Sequence, residues 1–146
     1  MNELKLDERL EADTLPVAEL PLCRLLLMND ARFTWIVLVP RRPQVSEVFE
    51  LSHSEQQQLW HEATILGKAM KTACGGDKVN IASLGNVVSQ LHVHVVIRKQ
   101  DDAAWPAPVW GHGTPLPYDL DGQADMRALL LAQIDGIDFA TPNFSL

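Results

Sequence analysis

Two of the chain's five histidines stand two residues apart in Gln90-Leu-His-Val-His-Val-Val-Ile-Arg98, the longest β-branched run in the sequence. Imidazole can bind a metal, relay a proton or attack an electrophile, so the pair His92 and His94 is where chemistry is sought first. A strand turns successive side chains to opposite faces. Read as one strand, the run places Gln90, His92, His94, Val96 and Arg98 on one face and Leu91, Val93, Val95 and Ile97 on the other. The aliphatic face reads as core, and the opposite face suits a polar ligand.

Three readings fit that spacing. The histidines can be ordinary half-exposed surface residues. They can be metal ligands, but a cupin-like site would need a carboxylate four or five residues beyond the second histidine, and the first acid after His94 is Asp101. They can also serve nucleophilic catalysis at phosphorus, with a covalent intermediate that water resolves. Spacing alone leaves all three open.

The elements that must hold the pair are legible around it. Residues 3–13 carry Leu4, Leu6 and Leu10 among charges, a weak helical pattern, and Thr14 to Pro21 is extended. Leu22–Met28 and Trp35–Val39 read as strands of a hairpin, joined through the turn-like Asn29-Asp30-Ala31-Arg32 and stopped by Pro40. Arg41-Arg42-Pro43 is a basic turn, read as a solvated corner, with phosphate contact as its alternative. Ser52-His53-Ser54-Glu55 has the form of a capping box. Leu59, Ala63, Leu66, Met70 and Ala73 then make one apolar stripe, and Cys74-Gly75-Gly76 ends the helix. His53 and His61 lie off the stripe and read as solvated. Lys78 to Leu84 is another strand, and Gly85-Asn86 reads as a tight turn suited to positive φ, or as backbone N–H groups offered to a ligand. From Trp105 to Pro117 the chain is rich in proline, with Trp105, Trp110 and His112. It is expected to wrap the surface as an ordered loop, with its tryptophans on the body of the domain or on a partner. A second helix is expected from Asp121, with Met126, Leu129, Leu130, Ile134 and Ile137 inward, and the last ten residues are expected to be irregular. The result is an α+β fold: a mainly antiparallel sheet of about five strands, one long helix and a C-terminal helix.

Composition narrows the partners. The 146 residues, 47% hydrophobic and 21% charged, suit one soluble globular domain. A net charge of −7 argues against general nucleic-acid binding but leaves room for a small phosphorylated ligand. Two cysteines, Cys23 and Cys74, make no disulfide framework, no apolar run reaches the roughly 20 residues of a membrane span, and an acidic N-terminus does not read as a signal peptide. A cytoplasmic home is the expectation.

Gln90-Leu-His-Val-His-Val-Val resembles the histidine triad (HIT) motif, His-φ-His-φ-His-φ-φ with φ apolar, with Gln90 in the first histidine position. The resemblance extends to the Leu22–Asn29 strand, Leu38-Val-Pro40, the capped helix after Leu51-Ser52 and Gly85 ahead of the motif. Asp101-Asp102-Ala-Ala-Trp105-Pro106 and Val109-Trp110-Gly111 resemble the tail of a bacterial, diadenosine-tetraphosphate-hydrolase-like branch. The resemblance covers roughly 3–111, within a single domain 1–146 whose C-terminal extension is 112–146.

It implies a HIT-like fold and a nucleotide hydrolase or nucleotidyl transferase acting at the α-phosphate of nucleoside phosphoesters, phosphoramidates or dinucleoside polyphosphates. It implies His92 as the nucleophile of a covalent nucleotidyl intermediate, and His94 as the residue that hydrogen-bonds the phosphate or leaving group and supports charge or proton transfer. Asn29 would bind the ribose hydroxyls, and Gly85, Asn86 and Val87 would form the turn near the phosphate. It further implies a homodimer with joined sheets, a purine nucleotide or dinucleoside polyphosphate as ligand, no cofactor and no obligatory metal. Gln90 cannot ionise near neutral pH. If its position only orients His92, activity is retained or retuned. If a proton or charge is needed there, the chain is a nucleotide-binding protein on the same fold. The second strand also has Trp35-Ile36 where the family often has Gly-His.

Overall fold

The computed structural model describes residues 4–140. Residues 137–140 form neither helix nor strand, and the rest of the stretch expected to be irregular, 141–146, lies outside the described residues. Five strands form one antiparallel sheet: β1 (Thr14–Glu19), β2 (Cys23–Met28), β3 (Thr34–Pro40), β4 (Lys78–Ser83) and β5 (Val93–Arg98), in the order β1-β2-β3-β5-β4. A short helix α1 (Glu8–Asp13) precedes them, the long helix α2 (His53–Cys74) joins β3 to β4, and α3 (Leu120–Asp135) follows the tail.

Helix α2 starts and stops where side-chain chemistry directs. The Ser52 hydroxyl accepts from the Glu55 N–H at 3.2 Å, and the Glu55 carboxylate accepts from the Ser52 N–H at 2.8 Å, so two otherwise free donors are satisfied reciprocally. Gly75 ends the helix at φ 63°, which costs a glycine nothing. Leu59, Ala63, Leu66 and Met70 are buried as the stripe requires, but Ala73 is exposed and Cys74 packs inward in its place. Ser52→Ala is expected to lower stability by about 1 kcal/mol in urea unfolding, the usual worth of such a cap.

The sheet is covered on both faces. Leu25, Leu27, Ile36, Leu38, Val93, Val95 and Ile97 pack against α2 and Leu130 of α3. Leu26, Trp35, Val37, Val39 and Val96 pack on the other face against Leu10, Phe33, Ala104 and Val109. The proline-rich tail is thus part of a core, because it lies over a sheet face that would otherwise expose a row of aliphatic side chains.

Arg98 belongs to that arrangement and not to a ligand. Only 2% exposed, it pairs with Asp102 at 2.7 Å and donates to Asn80 Oδ1 and the Ala107 carbonyl. Asp102 in turn accepts from the N–H groups of Lys99, Ala104 and Trp105. A second buried acid, Glu62, accepts from the N–H groups of Leu22 and Cys23 and ties α2 to the start of β2. Burial, reinforced by Glu62, pushes the Cys23 thiol up, which suits an inert core residue. Both cysteines are free.

Two local expectations are corrected. Strand β5 begins at Val93, not at Gln90: its partner β4 ends opposite it, at Ser83, and the Leu91 N–H turns away to the Val45 carbonyl. Gly85-Asn86 is no tight hairpin turn, since the connection runs over 84–92 and neither residue has positive φ. No described helix is long and apolar enough to cross a membrane.

Candidate active site

His94 sits in β5, opposite Val37 of β3 and Ala82 of β4, on the sheet face covered by the tail. His92 lies just before the strand. Both are 5% exposed, and their rings stand edge to face with centroids 4.9 Å apart. The alternation that predicted a shared face thus reaches only from His94 onward, yet the two imidazoles still meet.

Each ring has one nitrogen committed. His92 Nδ1 lies 2.7 Å from the Gln90 carbonyl, which can only accept, so Nδ1 carries the proton and Nε2 keeps its lone pair. That is the tautomer of a nucleophile. On His94 the arrangement is reversed: the Trp35 indole N–H donates to Nδ1 at 3.0 Å, which leaves Nε2 to carry the proton. Burial, and the nearby His92, hold His94 well below the ordinary imidazole range, to about 3. Trp110 closes the group, its ring edge to face with both His94 (5.5 Å) and Trp35 (6.0 Å). Its indole Nε1 is buried without a partner among the described residues.

Beside His94 opens a cavity of about 400 Å³, lined by Ala12, Asp13, Met28, Asn29, Asp30, Trp35, Trp110, Pro115 and Pro117. That size falls in the range of about 300–1,000 Å³ typical of small-molecule sites. Asn29, expected as a ribose ligand, is here, but its Oδ1 accepts from the Tyr118 N–H. Asp30 is buried. Burial opposes its ionisation, but paired hydrogen bonds from Arg32 and the Leu116 N–H outweigh that and hold its carboxyl below the usual range. The Ala31 N–H bonds the Leu116 carbonyl at 2.6 Å. These bonds fasten the tail across the cavity as its outer wall.

The other expected residues lie elsewhere. Gln90 points away from the histidine rings: its Oε1 accepts from the Asp7 N–H at 2.8 Å and its Nε2 donates to the Lys5 carbonyl at 3.0 Å. The amide therefore clamps the N-terminal arm, while its backbone carbonyl orients His92. Gly85 and Asn86 line a separate open depression with Ser46, Glu47 and Ser89, and Val87 is exposed. His53 and His112 are exposed, whereas His61, expected to be solvated, is half-buried at 3.4 Å from the Asp138 carbonyl. Arg41 pairs with Glu19 and Arg42 with Glu55, so the basic turn is engaged within the fold. Among the described residues no three His, Cys, Asp or Glu side chains gather as a possible metal site.

This geometry agrees with the comparisons. The HIT domain family model matches residues 9–101. The chain belongs to the HIT domain family. Solved histidine triad proteins resemble it closely. That from Marinobacter aquaeolei VT8 is 45% identical, covering 92% of this chain and 98% of its own, with a TM-score of 0.88. That from Bradyrhizobium japonicum is 42% identical, covering 89% and 97%, with a TM-score of 0.86. That from Sinorhizobium meliloti 1021 is 43% identical, covering 88% and 96%, also with a TM-score of 0.86. Among curated proteins none matches the chain. The five-stranded antiparallel α+β sheet is the HIT fold, and HIT proteins are in general nucleotide-binding proteins, hydrolases or transferases.

Sequence reasoning read Trp35 as the start of a strand and a departure from the family pattern, and Trp110 as packing on the domain or a partner, but tied neither to the histidines. The signal for Trp35 was its position in a strand neighbouring the histidine strand. The signal for Trp110 was a large aromatic in a segment too rich in proline to need one for regular structure.

Proposed function

We propose that this HIT-family protein hydrolyses or transfers nucleotidyl groups at an α-phosphate through a covalent intermediate on His92, as in the diadenosine-tetraphosphate-hydrolase-like branch. One observation carries the reading: the Gln90 carbonyl holds the Nδ1 proton of His92, leaving the Nε2 lone pair free beside His94. The cavity bounded by Asn29 and Trp110 takes the purine nucleoside, and the α-phosphate sits between the histidines. His94 donates its Nε2–H to a phosphate oxygen, where charge develops during attack. The loop at Gly85, Asn86 and Val87 stands apart from this cavity, so in this reading it meets only the far end of a long outgoing group. In this reading Gln90 acts through its backbone and its grip on the arm, not as an acid.

The test is intact-mass analysis after incubation with adenosine phosphoramidate and diadenosine polyphosphate, with and without chelator. A nucleotidyl adduct that survives chelator is expected. Tight AMP binding without adduct or turnover would instead favour a nucleotide-binding protein, a reading that the uncharged Gln90 keeps in view. Activity abolished by chelator and restored by one metal would overturn the nucleophile.

The partner proposed is a second copy of the chain. Among the described residues strand β4 is a sheet edge with no further strand paired to it, and beside it Trp60 is 62% exposed next to an apolar hollow lined by Leu59, Ala63, Ile81 and Val93. Trp60→Lys is expected to shift a dimer toward monomer in light scattering; an unchanged mass would count against this edge as the interface. The free thiols fit the reducing environment of a cytoplasmic protein.

A further inference from the structure

The hydrogen bond from Trp35 to His94 bears on which bond this site can break. Indole N–H is a donor only, so His94 Nδ1 must accept as long as the 3.0 Å contact holds. Protonating His94 would set one N–H against another and leave the indole donor unpaired. The setting is sheltered: Trp35 is 8% exposed, and Trp110 packs edge to face on both rings. The other titratable residues around His94 are His92 at 4.9 Å and, among those lining the adjoining cavity, Asp13 and Asp30, the latter held by Arg32.

We infer that Trp35 is a positioning residue that keeps His94 a neutral Nε2–H donor, so that the site cleaves α-phosphate bonds to groups that leave as stable anions, such as phosphates, and discriminates against amines. The inference rests on His92 being the nucleophile. A neutral imidazole can donate a hydrogen bond from Nε2, but giving that proton away would leave an imidazolate, so it is no general acid. His92 cannot serve either: once its Nε2 bonds phosphorus, its remaining N–H lies on the Gln90 carbonyl.

The reaction then balances as follows. The Nε2 lone pair of His92 forms the P–N bond, and the P–O bond to the leaving group breaks, its electron pair departing with that oxygen. Water next attacks phosphorus, the P–N pair returns to Nε2, and one water proton passes to solvent. An amine cannot follow this route, because nitrogen must be protonated before it departs. General acid catalysis is worth about 10²–10⁴-fold, and that factor is what an amine leaving group forgoes.

The experiment compares adenosine 5′-phosphoramidate with the 4-nitrophenyl ester of AMP as substrates, as kcat/KM across pH 5 to 8. The wild-type protein is expected to prefer the ester by about 10²-fold or more, by a ratio that does not change from pH 8 to pH 5. Trp35→Phe frees His94 Nδ1 and is expected to narrow the preference about tenfold, most strongly at low pH where His94 can be protonated, which a loss of packing alone would not do. Comparable rates on the two substrates in the wild-type protein would overturn the inference, as would an unchanged ratio in a folded Trp35→Phe. Nitrogen-15 NMR of the wild-type histidine rings gives an independent reading. His94 is expected to remain the Nε2–H tautomer from about pH 5 to 8, and its titration in that range, or an Nδ1–H tautomer, contradicts the role given to Trp35. If neither substrate yields turnover or a His92 adduct, it is the nucleophile reading that fails, and the NMR result still decides the state of His94.

Discussion

His92→Ala is expected to abolish the nucleotidyl adduct and to lower turnover by about four to six orders of magnitude, the scale on which removal of a covalent nucleophile acts. The expectation rests on one bond. The Gln90 carbonyl accepts the Nδ1–H at 2.7 Å, which leaves the basic Nε2 lone pair to a histidine that is itself 5% exposed. Neither Gln90, whose amide is engaged with Lys5 and Asp7, nor His94, whose free position carries a proton, can replace that lone pair. The substitution should leave the fold in place, since the polar contact it removes involves a carbonyl at the rim of the sheet. His92→Asn is a useful companion, because it is polar and close in reach but is no comparable nucleophile. Single-turnover mass spectrometry with diadenosine polyphosphate separates the two stages. An adduct persisting in His92→Ala would move the nucleophile elsewhere and remove the central claim.

The largest effect on stability is expected at Asp102. Asp102→Ala should cost about 3–5 kcal/mol in urea unfolding, because it strands the guanidinium of Arg98, 2% exposed, without its anion. The N–H groups of Lys99, Ala104 and Trp105 lose their acceptor as well. The damage should reach function, since the same bonds anchor the tail that carries Trp110 against His94. Binding of AMP should weaken in parallel, even though Asp102 lines no cavity of the site.

The pH dependence follows with a definite sign. Burial works against ionisation of Asp102, but Arg98 and the three N–H groups outweigh it and hold the carboxyl down to about 2. The unfolded chain therefore binds the proton more readily, and this contribution is complete above the ordinary value of 3.8 and fades as pH falls toward 2. His94 acts in the same direction over a higher window. Its stabilisation is complete above 6.5 and declines as pH falls toward about 3, by at most about 1.4 kcal/mol per pH unit. Urea midpoints in the wild-type protein should thus fall between pH 7 and 4, with a further loss below pH 4 that is smaller in Asp102→Ala. A wild-type midpoint unchanged from pH 7 to 4 would show that His94 is not held neutral by the fold.

Which features were open to sequence reasoning depended on how local their causes are. Helix α2 was legible from Ser52 to Gly75, because a capping box, an apolar stripe and a left-handed glycine each act within a few residues. The β2–β3 hairpin and the aliphatic face of β5 followed from alternation and β-branching. His92 and His94 stood out as a motif, and that motif led to the family. The start of β5 was not legible. Whether Gln90 to His92 joins the ladder depends on where β4 ends and on the Val45 carbonyl, which lies far away in sequence.

The chemistry of the pair divides in the same way. The residue types and their order determined that two imidazoles would lie close together at one end of a buried strand in an antiparallel α+β fold. Tertiary structure alone decided their tautomers, because each is set by the partner of one ring nitrogen: a carbonyl two residues back for His92, and an indole on a neighbouring strand for His94. It also decided that Arg98 is a strut, that Gln90 is a clamp and that the proline-rich tail is a wall of the cavity. A hydrogen bond across 59 residues leaves no periodic trace in a sequence, and so the contact that distinguishes a donor from an acid at His94 appeared only when the chain was folded.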